Sequence, residues 1–314
     1  MYTEKFDFYS PVALKSYNLD QTMRYQLSIL DSMDHFTRRH SENVANLCCR
    51  ICEYLKCNQK FTIHATICGY LHDIGKIFIP SNIVQKPGPL SDEEYEIMKT
   101  HTTLGYQMCM NDLKLRPFAE GALNHHEALN GLGYPNGLTK KDIPYVAQII
   151  RVADEYDAIV TKRQYTTHIN ISETLRDLIR DAKPEEYLKS VALDQLSKNS
   201  KDGKINPKVL KVLFKVVIDD TLYEISSIYD YLDFLKENIK RLEMIQSYDE
   251  KRKKTEKEKT KKYYEEGMRL LFQDGENFSN YSIVLQEYKD ALKLRTEMID
   301  RLYDEIKIIK KLRI

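Results

Sequence analysis

Length, composition and charge already exclude several classes of protein. The chain has 314 residues, of which 42% are hydrophobic and 30% charged, so it has enough apolar material for a folded core. A formal net charge of +1 gives no global attraction to nucleic acid, although a local basic patch stays open. Charged residues interrupt every apolar run before the ~20 residues that a membrane helix needs, and residues 1–10 lack a signal-peptide core. We therefore expect a cytoplasmic protein without membrane association.

The six cysteines raise the question of a metal or redox site. Cys49 and Cys52 form one C-x-x-C within an amphipathic helical pattern, and a zinc ribbon would need a second pair, which the sequence lacks. We expect reduced thiols packed in a core, with a redox pair as the alternative.

Apolar residues recur at helical spacing along most of the chain. Between residues 41 and 55 they follow spacings of three and four, and Ser91 with Glu94 predicts a capping box at a helix start. Pro144 suits the first turn of a helix that extends to about Val160. No β-alternation is sustained over several strands. The sequence therefore predicts an all-α protein.

The composition changes near residue 220, where two apolar heptad stripes flank a charged stretch and a turn at 273–280. The first stripe is Ile225, Ile228, Leu232, Leu235, Ile239 and Leu242, and the second is Leu285, Tyr288, Leu292, Arg295, Ile299, Leu302, Ile306 and Ile309. The stripes predict a C-terminal helical hairpin or coiled-coil extension, and they fit a homodimer through these helices equally well. We expect the basic run Lys251–Lys262 to be a solvated helix face rather than a nucleic-acid site.

Histidine and aspartate carry the chemistry that the sequence suggests. Singly, each such residue is more often a packed or surface residue than a ligand. Together, imidazole nitrogen and carboxylate oxygen suit Mn, Fe, Co, Ni or Zn, and the number of side chains is roughly what two adjacent ions joined by one carboxylate need. The set contains five of the eight histidines and two aspartates: His40, His72, His101, His125, His126, Asp73 and Asp154.

An ordered series of motifs resembles the HD-GYP domain, a branch of the HD superfamily of metal-dependent phosphohydrolases. The series is His72-Asp73-Ile74-Gly75-Lys76, Lys86-Pro87-Gly88-Pro89-Leu90, His125-His126-Glu127, Asn130-Gly131-Leu132-Gly133-Tyr134-Pro135, Ile143-Pro144, Val152-Ala153-Asp154, Arg163-Gln164-Tyr165 and Asp202-Gly203-Lys204-Ile205-Asn206-Pro207. The resemblance implies an HD-type helical bundle with a metal centre in its core, and hydrolysis of the bacterial second messenger cyclic di-GMP. We therefore expect an N-terminal segment at 1–24, a catalytic domain at 25–220 and a helical extension at 221–314.

The resemblance also implies which residues hold metal. Family members with a third ion use a glutamate at the position of Phe36, so we expect two divalent ions per chain, iron or manganese. Such a pair would activate a hydroxide that attacks phosphorus. One ion would be held by His40, His72, Asp73 and Asp154, and the other by Asp73, His101, His125 and His126, with Asp73 bridging and catalytic.

Further residues are expected at the substrate. Lys76 would bind phosphate and stabilise the leaving group, Arg163 would bind phosphate, and Tyr134 would stack on or hydrogen-bond the substrate. Each has a plainer alternative: a solvated lysine at a helix end, a surface salt bridge, and a tyrosine that anchors its loop. The chain departs from the family at Asn130, where aspartate is usual, and at 164–166, where a basic residue is missing.

Two other functions stay open. One is the same hydrolysis of another nucleotide, such as the cyclic dinucleotide cyclic GMP-AMP. The other is a non-catalytic signalling module that binds metal or nucleotide and engages a partner through the C-terminal helices. The complete ligand set favours an enzyme, because a decayed domain usually loses ligands.

Overall fold

A computed structural model describes residues 33–164, 171–182 and 202–313, with only the backbone of 161–164. Contacts divide the chain into two compact units, the first reaching Val217 and the second spanning Ile218–Lys310. Within the described ranges, no helix combines the length and the apolar character that crossing a membrane requires.

The first unit is helical. It includes two 3-10 helices, Ile74–Phe78 and Arg116–Phe118. Among the described residues there is no strand, only an isolated bridge between Asn130 and Thr139, so the all-α prediction is confirmed. The α-helices are α1 His35–Tyr54, α2 Gln59–Leu71, α3 Ser81–Val84, α4 Asp92–Lys99, α5 His101–Asn111, α6 Ala119–Asn124, α7 Tyr145–Gln164, α8 Ile171–Ala182 and α9 Pro207–Lys254, which continues into the second unit.

Helix α1 shows how the sequence builds the core of this unit. Its N-cap residue Asp34 accepts hydrogen bonds from backbone N–H groups of the first turn. Val44, Cys48 and Ile51, at spacings of three and four, are fully buried, and the helix packs on α2 and α7. The helix predicted from residue 41 is confirmed and begins earlier, at His35.

Other local predictions are also confirmed. The Ser91 hydroxyl accepts a hydrogen bond from the Glu94 backbone at 3.2 Å, and the Glu94 carboxylate accepts one from the Ser91 backbone at 2.7 Å, which is the capping box of α4. Helix α7 begins directly after Pro144. The cysteines are free thiols, and Cys49 and Cys52 are both buried, as expected for packed core residues.

The second unit is a helical hairpin with a shorter helix between its arms. After α9 come α10, Glu258–Leu271, and α11, Tyr281–Lys311. All six residues of the first apolar stripe are buried. Ile225 shares a cluster with Ile306, and Leu242 shares one with Leu285, so α9 and α11 run antiparallel. The predicted hairpin is present, and its two stripes bury each other without a second chain.

Buried and partly buried polar contacts join α9 to the turn before α11 and to α11 itself. Arg241 on α9 donates to both carboxylate oxygens of Glu276 at 2.5 and 2.6 Å, which anchors the turn before α11. Asp249 on α9 is buried and accepts a hydrogen bond from the Tyr281 hydroxyl at 2.9 Å. The run Lys251–Lys262 that follows is mostly exposed, as predicted.

Candidate metal centre

The turn after α2 places two predicted ligands in the interior. His72 caps the C-terminus of α2, Asp73 leads into the 3-10 helix Ile74–Phe78, and both are buried. A Cβ atom on Gly75 would lie 1.9 Å from the carbonyl oxygen of His101, so this position requires glycine. The close approach brings His101, the first residue of α5, beside Asp73.

The Asp73 carboxylate lies between two groups of histidines. Its Oδ2 atom lies 3.2 Å from His72 Nε2 and 3.8 Å from His40 Nε2. Its Oδ1 atom lies 3.4 Å from His101 Nε2 and 3.9 Å from His125 Nε2. One carboxylate therefore faces a different pair of rings with each oxygen.

The remaining two predicted ligands complete these groups. Asp154 Oδ1 lies 3.0 Å from His40 Nε2 and 3.9 Å from His72 Nε2, on the Oδ2 side. His126 belongs to the Oδ1 side, where it, Asp73, His101 and His125 each offer a ligand atom within 4.8 Å of the others. The structure thus brings all seven predicted ligands together, from α1, α5, α7 and the turns that follow α2 and α6.

Hydrogen bonds to the backbone fix which ring nitrogen points into the cluster. A carbonyl oxygen only accepts, so each bonded Nδ1 carries a proton and Nε2 is the ring nitrogen that faces Asp73. Nδ1 of His72 donates to the Gly69 carbonyl at 2.7 Å, that of His101 to Met98 at 2.6 Å and that of His125 to Ala122 at 2.9 Å.

The ring nitrogens and carboxylate oxygens of the cluster are arranged to bind a cation. The Nε2 atoms of His101 and His125 lie 3.2 Å apart. His72 Nε2 and Asp73 Oδ1 are buried and have no hydrogen-bond partner among the residues that the structure describes. Buried lone pairs that face one another are costly unless a positive charge lies between them. Because neutral imidazole and carboxylate are the donors that divalent transition metals take, the cluster fits divalent metal binding.

The ionisation states agree with this reading. Burial lowers the pKa of His101, lowers that of His126 to about 3, and holds that of His125 well below its usual value. Burial alone would raise the pKa of Asp73, but Lys76 and His72 outweigh it and hold the pKa well below the usual range. Near neutral pH the three rings are neutral and the carboxylate is ionised, which are the forms that ligate metal.

His40 is oriented by a carboxylate that sequence reasoning did not select. Its Nδ1 atom lies 2.7 Å from Asp157 Oδ2, and Asn43 Nδ2 donates to Asp157 Oδ1 at 2.9 Å. Burial alone would lower the pKa of His40, but hydrogen bonds to Asp154 and Asp157 outweigh it and raise the pKa to about 10. Metal ligation by Nε2 would displace a proton while Asp157 keeps the ring in place. The signal for Asp157 was its position one helical turn after Asp154.

Lys76 lies at the cluster and not at a solvated helix end. Its Nζ atom lies 2.6 Å from Asp73 Oδ2, and it lines the cavity over the centre. Burial alone would lower the pKa of Lys76, but the Asp73 carboxylate outweighs it and raises the pKa, so the ammonium group stays charged.

The loop after His126 is held by a buried carboxylate. Glu127 accepts hydrogen bonds from the backbone of Asn136 at 2.7 Å and of Leu138 at 2.8 Å. A Cβ atom on Gly133 would lie 2.2 Å from the Ala128 nitrogen, so the loop can fold back on itself only with glycine there.

Tyr134 in this loop packs on a predicted ligand. Its ring stacks on that of His126 with 4.7 Å between centroids and 24° between planes, and it lines the cavity. Tyr134 therefore supports the His126 ring and also lies at the wall of the cavity.

Asn130 of the same loop is buried, and its Oδ1 atom accepts a hydrogen bond from the Leu132 backbone at 3.1 Å.

A cavity of about 670 Å³ opens onto the cluster. This is within the ~300–1,000 Å³ of small-molecule sites. Arg151 directly precedes the motif Val152-Ala153-Asp154 and was not selected from the sequence. It lines the cavity and donates to Glu155 at 2.7 Å and to the His126 carbonyl at 2.7 Å. Tyr95 and Lys204 line it as well.

The side chain of Arg163 and all of 165–166 lie outside the described residues, so the predicted phosphate contact of Arg163 stays a prediction.

Curated proteins and a solved structure are similar to parts of this chain. A cyclic di-GMP phosphodiesterase of Thermotoga maritima is 41% identical over 158 residues, which are 48% of this chain and 43% of the relative. The 3′3′-cGAMP-specific phosphodiesterase 1 of Vibrio cholerae is 32% identical over 173 residues, 55% of this chain and 40% of the relative. The chain thus spans less than half the length of these curated relatives. The solved structure of an HDG"Y"P protein from Bdellovibrio bacteriovorus aligns with a TM-score of 0.45 at 22% identity, covering 65% of this chain and 60% of that one.

The family itself follows from the match to a family model. The family model for the HD domain matches residues 24–191, more than half of the chain and the part that contains all seven clustered histidines and aspartates. The chain belongs to the HD domain family.

Proposed function

We propose that the chain is a metal-dependent phosphodiesterase that hydrolyses cyclic di-GMP. The observation that carries the proposal is the Asp73 carboxylate, whose two oxygens face two separate groups of imidazoles. That arrangement suits a pair of ions that share one bridging ligand. Relatives named cyclic di-GMP phosphodiesterases, from Thermotoga maritima and Pseudomonas aeruginosa among others, support the substrate class.

The chain's own residues would hold two ions, iron or manganese. Phe36, one turn before His40, offers no lone pair for a third. When bound, such ions lower the pKa of a water molecule and offset charge on phosphoryl oxygens. The proposed sets are His40, His72, Asp73 and Asp154 for one ion, and Asp73, His101, His125 and His126 for the other.

Lys76 is proposed as the phosphate-binding and leaving-group-stabilising residue. Its ammonium group lies on the cavity wall beside Asp73. Once the carboxylate is balanced by metal charge, the ammonium is available to a phosphoryl oxygen, for which lysine is a compact point charge. We further propose Tyr134 and Arg163 as substrate contacts.

Another cyclic dinucleotide is the second candidate substrate. The support is the similarity to the 3′3′-cGAMP-specific phosphodiesterase of Vibrio cholerae. The cavity lining favours neither over the other, since both substrates carry two phosphodiesters and two purine bases.

Residues 25–220 are proposed as the catalytic domain and 221–314 as an extension for assembly or regulation, preceded by an N-terminal segment at 1–24. All seven proposed ligands precede Val217, where the first compact unit ends.

The test is direct. Purified chain, loaded with Mn²⁺ or Fe²⁺, is incubated with cyclic di-GMP, 3′3′-cGAMP and cyclic di-AMP, and the products are separated by chromatography. Metal analysis should give two ions per chain, and removal of metal with a chelator should stop turnover. Hydrolysis of 3′3′-cGAMP alone would move the assignment to the second substrate. No turnover of any of the three by fully metallated protein would favour a non-catalytic signalling module.

A further inference from the structure

Phe36 is an exposed aromatic side chain on the wall of the metal-centre cavity. It belongs to the first turn of α1, one helical turn before His40, and lines the same cavity as His40 and Lys76. Its side chain is 63% exposed. A phenylalanine is usually buried, and an exposed one beside a concave polar site favours a ligand with an apolar face.

The rest of the cavity wall supports a flat ligand. Tyr95 and Leu132 also line it and are 46% and 44% exposed. Lys76 and Lys204 line it as well, so apolar surface and positive charge border one space. A nucleotide combines an anionic phosphate with a planar base, and this is the combination that such a wall recognises.

We infer that the Phe36 ring stacks on a nucleobase of the cyclic dinucleotide while a phosphodiester of that molecule lies over the metal centre. The inference rests on the proposed function and assigns one residue to substrate affinity. Every base presents a π-face, so stacking raises affinity for any cyclic dinucleotide and leaves the choice between bases to other residues. The stack would be equally strong in the bound substrate and in the transition state. Its loss should therefore raise KM and leave kcat nearly unchanged.

Tryptophan fluorescence gives a test that does not depend on turnover. The chain has no tryptophan, so Phe36→Trp introduces a single reporter at this wall. The Mn²⁺-loaded variant is titrated with a hydrolysis-resistant phosphorothioate analogue of cyclic di-GMP, and a purine stacked on the indole should quench its emission in a saturable way. The matched control is Tyr263→Trp, at a side chain that is 66% exposed on α10 in the second unit. The emission of this control should fall only as far as the absorption of light by the ligand accounts for.

Kinetics with cyclic di-GMP supply the second readout. Phe36→Ala should raise KM by about 5- to 150-fold, the range that loss of one base–aromatic stack gives, with kcat within about twofold. Phe36→Trp should restore KM, Tyr263→Ala should match the parent chain, and all variants should retain the parent's metal content. If the parent chain turns over cyclic di-GMP while Phe36→Ala keeps its KM and Phe36→Trp shows no saturable quenching, the stacking role is wrong and the proposed function stands. If the metallated parent neither binds nor hydrolyses any cyclic dinucleotide, the proposed function falls and the stacking role falls with it.

Discussion

The ammonium nitrogen of Lys76 lies 2.6 Å from Asp73 Oδ2, the carboxylate oxygen that also faces His72 and His40. The same oxygen is therefore the partner of a fixed cation and a proposed metal ligand. In the chain without metal, Lys76 balances the buried carboxylate, which would otherwise be costly. We infer that metal binding releases the lysine from this task and makes it available to the substrate.

Lys76→Ala should therefore keep both metal ions and lose most activity. We expect kcat to fall by about 10²-fold, the size of effect seen when one group that stabilises transition-state charge is removed. Metal content and turnover should be measured on the same preparation. Lys236→Ala is a matched control, because Lys236 makes the same i,i+3 ion pair with Asp233, on α9 in the second unit. A collapse of metal content in Lys76→Ala would show that the lysine supports the ligand cluster instead.

Asp73→Ala should abolish turnover and lower metal content while the helical fold persists. The change removes the one carboxylate that faces both groups of histidines. A rate loss of at least ~10³-fold is expected, since several kcal/mol of metal-derived transition-state stabilisation would disappear. Circular dichroism would establish that the helices remain. Near-normal turnover with two bound ions would rule out a bridging role.

The ligands could be selected from the sequence because five of them, His72, Asp73, His125, His126 and Asp154, lie in the motifs that resemble the HD-GYP domain. The helices followed from apolar spacing, as for Val44, Cys48 and Ile51 on α1. What the sequence did not indicate is which side chain orients the ring of His40. His40 and Asp157 are 117 positions apart, and their contact depends on the packing of α1 against α7.

The composition change near residue 220 does not coincide with the end of a helix. The change in apolar pattern there is real, yet α9 runs without interruption from Pro207 to Lys254. A change in what a helix packs against alters its apolar face and leaves its backbone hydrogen bonds intact. The break at 255–257 that separates α9 from α10 was not predicted, because Lys251–Lys262 was expected to form one solvated helix face.

Asp157→Asn should weaken metal binding at the His40 side. The amide retains the size of the carboxylate but loses the charge that orients His40 and stabilises its ring. A loss of about 10- to 100-fold in metal affinity or activity is typical when such a partner is removed. Metal titration followed by turnover at saturating metal would separate affinity from catalysis. Unchanged metal affinity would show that Asp154 alone is sufficient to hold His40.

The second unit should lose stability in acid through Asp249. Burial alone would raise the pKa of Asp249, but hydrogen bonds from Lys253, Arg252 and Tyr281 outweigh it and lower the pKa. A carboxyl whose folded pKa is depressed contributes stability above its unfolded pKa of ~3.9 and loses it as pH falls through the folded value.

Asp249→Asn should therefore destabilise the chain by about 1.5–3 kcal/mol at pH ~7, the range for a hydrogen bond to a charged group, and by less at pH ~3. Thermal unfolding of parent and variant at the two pH values measures this difference. Tyr281→Phe, which removes only the 2.9 Å hydroxyl contact, should show a smaller effect of the same sign. An equal destabilisation at both pH values would mean that the ionised form of Asp249 does not matter.

A chain that ends near residue 220 should keep the metal centre and hydrolytic activity. Every proposed ligand lies before Val217, and the α9 residues Val209, Leu210, Leu213 and Val216, which are buried in the first unit, would be retained. Within the second unit the stripes of α9 and α11 cover each other, so their joint removal exposes neither of them. Metal content, turnover and light scattering should be compared between the full chain and the truncated one. We expect equal metal content and turnover, with any difference confined to assembly or to regulation by a partner of the hairpin. A soluble, fully metallated truncation that lacks activity would show that 221–314 contributes to the site, against the assignment of catalysis to the first unit.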